Sequence, residues 1–182
     1  MASRQDLTKH VELVGNVVRS TLLKRSLTSV NADPQLNFWR IIYGNLLDVA
    51  VVAWCMIFGA DSEPTHWKKI VPVYRHELFR ASLLSAMSVD ESQWAAYWEE
   101  MKAYRDTQVA HYQEGAERYP SLGLALESSY FYYGYLLKEL RQLGETGFPG
   151  DLRQYGEKFE FQSVKIANVA LNSTAAIKEE VF

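Results

Sequence analysis

Arg105 and His111 are the side chains of this 182-residue chain whose types and spacing invite chemistry. Both fall late on a segment of helical periodicity, residues 89–114. At about 100° per residue, Trp94, Trp98, Met101 and Tyr112 form one apolar stripe, with Tyr97 and Tyr104 along a border. Glu99, Lys102 and Asp106 fall away from it, yet Arg105 and Gln108 project from its middle and His111 from its edge beside Tyr104. A guanidinium taken out of water needs a partner, because desolvation alone is costly. Arg105 therefore requires a carboxylate, a subunit interface or a substrate anion opposite it. The purely structural alternative pairs it with an acid of a neighbouring helix, such as Asp48. His111 then faces solvent near a helix end, where positive charge is favourable.

Other chemistries find less support in the residues. The di-iron pattern of helical bundles uses Glu-x-x-His pairs; here only the reversed order His111-Tyr112-Gln113-Glu114 occurs. The four histidines, His10, His66, His76 and His111, fall in four segments and read as scattered surface residues, so no metal and no cofactor is expected. There is no Gly-x-Ser-x-Gly, no phosphate-cradling glycine loop and no Cys/His pair of known spacing. The single cysteine, Cys55, lies in the apolar run 50–58 and reads as a buried, inert thiol.

The elements that must position these residues are helical. Leu7, Val11, Val14, Val18 and Leu22 mark an amphipathic helix over about 6–27. Asp33 before Pro34 reads as an N-cap with proline at the first helical position. The helix it opens is expected to end at Phe58-Gly59 and, being apolar nearly all round from Leu46, to be the most buried. A third helix runs from about His66 or Pro72 to Met87. Ser88 and Glu91 fit a capping box for the fourth. A fifth spans about 120–143, with Gly144 as its C-terminal cap. After Gly147-Phe148-Pro149-Gly150, residues from Leu152 onward fit a helix, although Phe159-Glu160-Phe161 would suit extended chain equally well. The expected fold is all-α: a bundle of four to five main helices over 1–150, with a C-terminal extension, 151–182, packed on the same domain.

Composition bounds the function. With 48% hydrophobic residues the chain is not disordered. Nineteen basic against twenty-two acidic side chains exclude bulk polycation behaviour toward nucleic acid, though not a local basic site. The longest apolar stretch is interrupted by Asn45 and Asp48 and reads as too short to span a membrane. No signal-like segment opens the chain, so a reducing, cytoplasmic setting is expected.

Tyr104-Arg105-Asp106-Thr107-Gln108-Val109-Ala110-His111 resembles the Arg-x(4–6)-His signature of the HEPN superfamily. The likeness is closest to its AbiU-like abortive-infection branch, and it extends over about 35–143. It includes Asn37-Phe38-Trp39-Arg40 through Phe58-Gly59, His66-Trp67-Lys68-Lys69 and Trp98-Glu99-Glu100-Met101-Lys102.

That resemblance implies a helical homodimer with the motif helices facing each other and metal-independent endoribonuclease activity of the phage-defence or toxin–antitoxin type. His111 is then the general acid or base, and Arg105 holds the scissile phosphate. Asp106, Gln108 and Tyr104 are supporting residues, Asp106 also repelling phosphate. The implied partners are RNA, a second copy and an antitoxin protein, with no membrane. Arg105 and His111 lie about 120° apart on an ideal helix; the arginine's length, a distorted final turn or the second subunit must close that gap. Two further readings stand beside this one. A HEPN-like protein that binds or scaffolds without catalysis fits the acidic balance, and a metal-dependent helical-bundle enzyme ranks below both.

Overall fold

The computed structural model describes residues 2–30, 36–109 and 119–178, and it is an all-α bundle with no strand among those residues. Helix α1 (Arg4–Ser29) opens with a capping box: Ser3 Oγ accepts from the Asp6 amide and the Asp6 carboxylate accepts from the Ser3 amide. All five expected apolar positions of α1 are buried, joined by Leu13, Val17, His10 and Thr21. Helices α2 (Asn37–Phe58), α5 (Gly123–Gln142) and α6 (Leu152–Thr174) all pack against α1.

This corrects the expectation that α2 is the most buried helix. Thirteen of the 26 residues of α1 are buried, against eight of 22 in α2, all from Leu47 onward. The N-terminal half of α2 leaves Phe38 and Ile41 exposed, with Val49 further along. The expected Asp33–Pro34 start lies outside the described residues; α2 begins at Asn37 after Leu36, which supplies no side-chain cap. By length and hydropathy α2 does reach what a membrane span needs, contrary to the sequence reading, since Asn45 and Asp48 do not break it. Its C-terminal half is bundle core, with Ala50, Val51, Trp54, Cys55 and Ile57 wholly enclosed.

Between Gly59 and His76 the chain makes two 3₁₀ turns, Trp67–Lys69 and Val73–Arg75, before α3 (His76–Met87). Pro72 separates them, because it lacks an N–H and steers Val71 away from helical backbone. The capping box expected at Ser88 and Glu91 is displaced by two residues. Ser88 adopts left-handed backbone (φ 55°) at the end of α3, while Asp90 and Gln93 exchange the capping bonds of α4 (Glu91–Tyr104). Glu91 instead binds Arg80 through both carboxylate oxygens. Gly144 is left-handed (φ 78°) after α5, as expected of a C-terminal cap.

The C-terminal segment is helical throughout α6, capped by Asp151, which accepts from the Arg153 and Gln154 amides. It lies so close to the bundle that a Cβ on Gly156 would meet Tyr130 Oη at 2.7 Å and Leu22 Cδ1 at 3.0 Å. Near its end Thr174 Oγ1 accepts from Trp39 Nε1 (2.9 Å), tying α6 to the start of α2.

Two histidines read as surface residues are buried instead. His10 is 2% exposed and its Nδ1 shares a 2.8 Å hydrogen bond with the Tyr132 hydroxyl between α1 and α5. His66, also 2% exposed, accepts the Lys68 amide at Nδ1 and faces Asp61 with Nε2 at 3.4 Å. Burial pushes each imidazole down to about 4, outweighing Asp6 and Asp61. The unfolded chain therefore binds more protons than the folded one between about pH 4 and pH 6.5, and stability falls as pH drops through that window. Thermal melts at stepped pH are expected to show this fall. His10→Gln lowers the melting temperature at pH 7 but flattens the slope; an unchanged slope would remove His10 from the titration.

Gly59 closes α2 with its amide on the Cys55 carbonyl (2.8 Å), in a geometry where a Cβ would lie 2.3 Å from that same oxygen. Gly59→Ala is expected to cost about 1–3 kcal/mol, read as a fall of several degrees in melting temperature.

Candidate functional site

Helix α4 buries Trp94, Tyr97, Met101 and Tyr104, so the two border tyrosines belong to the buried face and Trp98 moves to its partly exposed margin. Tyr112, the last member of the expected stripe, lies outside the described residues. The alternation of three and four residues from Trp94 to Tyr104 keeps these rings against α2, the common arrangement of an amphipathic helix.

After Tyr104 the helix widens. Residues Arg105–Val109 form a π-helical turn, a rare geometry that recurs at functional sites. The Arg105 amide is shared between the carbonyls of Met101 and Lys102, and Thr107 Oγ1 donates to the Ala103 carbonyl (2.7 Å). The ideal-helix phase behind the 120° separation of Arg105 and His111 does not hold across such a turn. His111 itself lies outside the described residues.

Arg105 is 23% exposed at its side chain. Its Nε donates to Asp106 Oδ1 at 2.8 Å, and Nη1 faces Glu63 Oε1 at 3.4 Å. The Asp106 bond raises the guanidinium's pKa above its ordinary value, with burial opposing it. The acid opposite Arg105 is thus Glu63 from the 59–66 loop and not Asp48. Asp48 accepts the Tyr104 hydroxyl (2.8 Å). Burial, and then that bond, push the Tyr104 phenol up, so its proton is committed within the bundle. Gln108 is half-buried on the same π turn.

Glu63 was not legible as a site residue, since a polar loop of sequence Asp61-Ser62-Glu63-Pro64-Thr65 gives no hint of what it faces. The fold aims it through local bonds: the Glu63 amide to the Ala60 carbonyl, the His66 amide to the Glu63 carbonyl, and Thr65 Oγ1 to the Met56 carbonyl. Two of the five guanidinium N–H groups face carboxylates, leaving three without a partner among the described residues. The arrangement can present an oriented cation to an oxyanion, in competition with two carboxylates. Among the described residues no group of His, Cys, Asp and Glu is placed to hold a metal ion.

No family model, curated protein or solved structure matches the chain.

Beneath Arg105, Cys55 is fully enclosed with its Sγ 3.8 Å from the Met101 carbonyl. Burial pushes its thiol up to about 12, so thiolate is scarce at neutral pH. Ellman's reagent is expected to leave the native protein unlabelled and to react fully in denaturant. Rapid native labelling would mean that α2 and the end of α4 separate in solution.

Proposed function

We propose that this chain is a HEPN-like helical protein that acts in the cytoplasm as a homodimeric, metal-independent endoribonuclease of the phage-defence or toxin–antitoxin kind. The observation that carries the reading is Arg105: a partly exposed, oriented guanidinium on a π-helical turn, six residues before His111. Exposed Phe38, Ile41 and Val49 on α2, the helix that meets Tyr104 through Asp48, supply apolar surface for a second copy.

In this reaction His111 takes the proton of a ribose 2′-hydroxyl, whose oxygen attacks the adjacent phosphorus. The 2′-oxygen–phosphorus bond forms as the phosphorus–5′-oxygen bond breaks, and the leaving 5′-oxygen is protonated. The products are a 2′,3′-cyclic phosphate and a 5′-hydroxyl, with no water consumed. A histidine whose ordinary pKa is near 6.5 suits both proton transfers. The guanidinium stabilises charge that develops on the pentacoordinate phosphorus, a bidentate role that lysine fills poorly.

A second reading has its own observation. Asp106 and Glu63 already balance Arg105, and with them the chain keeps a fold element that binding or scaffolding without catalysis would also need. Incubation with labelled RNA in EDTA separates the two. Cleavage to cyclic-phosphate ends, lowered at least a hundredfold by His111→Ala and by Arg105→Ala, is the expected result. Absence of cleavage over several RNAs favours the scaffold, and activity only on adding metal favours a metal-dependent enzyme.

A further inference from the structure

A cleft of about 280 Å³ opens between the end of α2, the following loop, α3 and α4. This is just under the span of about 300–1,000 Å³ typical of small-molecule sites, room for one planar heterocycle rather than a whole nucleotide. Three indoles line it: Trp67 and Trp94, which are buried and form its floor, and Trp98, which is partly exposed with Lys102 Nζ over its ring at 4.1 Å. They are held in place before any ligand arrives. Trp98 Nε1 donates to the carbonyls of Phe58 (2.7 Å) and Gly59 (3.2 Å), Trp94 packs on Trp54 and Phe58, and Trp67 stacks on Phe79 at 4.6 Å.

The rim carries Asp61, Lys68, Arg80 and Glu99. Lys68 binds Asp61 (2.6 Å) and Arg80 binds Glu91, so both cations are neutralised locally. The Glu99 carboxylate makes no hydrogen bond or ion pair among the described residues. A free carboxylate at the edge of an aromatic slot accepts N–H donors lying in the plane of a stacked ring. Guanine presents two such donors side by side, N1–H and the 2-amino group, whereas uracil presents one.

The cleft also lies in line with Arg105. Trp98 and Arg105 are seven residues apart, within about 20° of the same helix face and about 10 Å along the axis. The loop that brings Asp61 to the cleft brings Glu63 to Arg105. We infer that this indole-lined cleft binds a nucleobase, guanine in preference to uracil, of an RNA strand whose backbone passes Arg105. Its place in RNA recognition rests on the ribonuclease reading; base binding itself does not. Stacking on Trp98, the indole of the three that is partly exposed, supplies the affinity, and Glu99 supplies the choice of base.

Guanosine 5′-monophosphate, uridine 5′-monophosphate and ribose 5-phosphate, titrated against the intrinsic tryptophan fluorescence of the full chain, test this directly. Saturable quenching by the guanosine nucleotide, weaker quenching by the uridine nucleotide and none by ribose 5-phosphate are expected. Ala95 is exposed and lines the cleft, so Ala95→Phe fills it from the solvent side. That variant should keep its melting temperature and bind the guanosine nucleotide at least tenfold more weakly, while Glu99→Gln narrows the gap between the two bases. Equal binding of ribose 5-phosphate, unaltered binding by Ala95→Phe or absence of saturable quenching would overturn the base site. Equal affinity for the two nucleotides would overturn the guanine preference. RNA cleavage without nucleotide binding removes the cleft and leaves the ribonuclease, and nucleotide binding without cleavage does the reverse.

Discussion

Trp54 is the largest side chain that the bundle encloses completely, and an indole buried to that degree must find an acceptor for its N–H. It finds Ser128 Oγ on α5 at 3.0 Å, and Ser128 in turn donates to the Ala125 carbonyl (3.1 Å). Around the same ring sit Phe58 from α2 with Trp94 and Tyr97 from α4. One side chain thus fixes three helices relative to one another. The Tyr97 hydroxyl extends this set of contacts by donating to the Ser121 carbonyl and accepting the Ala125 amide, which caps an α5 N-terminus that has no side-chain cap of its own. The position of α4, and with it the point at which Arg105 leaves the bundle, follows from this arrangement.

Two buried histidines are held by hydrogen bonds inside that frame. His10 with Tyr132 and His66 with Asp61 and the Lys68 amide are neutral donors and acceptors in the core, for which burial outweighs the nearby carboxylates. Arg105 lies at the opposite extreme, charged, partly exposed and flanked by two acids. An ion pair at such exposure adds little to stability, but it orients the guanidinium. The net charge of -3 is therefore not only a bulk property. Asp106 and Glu63 place part of the acidic excess directly against Arg105.

Helix boundaries were legible where a local rule settles them. Gly59 and Gly144 each terminate an element through backbone groups within a few residues, so the amino acids at those positions suffice; the Ser3–Asp6 cap, which starts α1 ahead of the expected residue 6, was not read. Ser88 and Asp90 show the limit. Ser88 was the cap that the sequence pattern offered, and the turn from α3 into α4 instead holds Ser88 in left-handed backbone and gives the cap to Asp90. The π turn at Arg105–Val109 had no signature in the sequence, where a distorted final turn was one of three ways to bring Arg105 and His111 together.

The amino-acid sequence by itself determined an all-α chain, its order of helices, an inert Cys55 and the prominence of Arg105, because periodicity, capping and the cost of burying charge act over a turn or two of helix. Only the tertiary structure decided which helix is central, that His10 and His66 are buried, that Glu63 rather than Asp48 faces Arg105, and that three indoles share a cleft. Those facts depend on residues tens of positions apart meeting in space. No spacing along the chain encodes which of several available acids, or which of several aromatic rings, the packing will bring to one place.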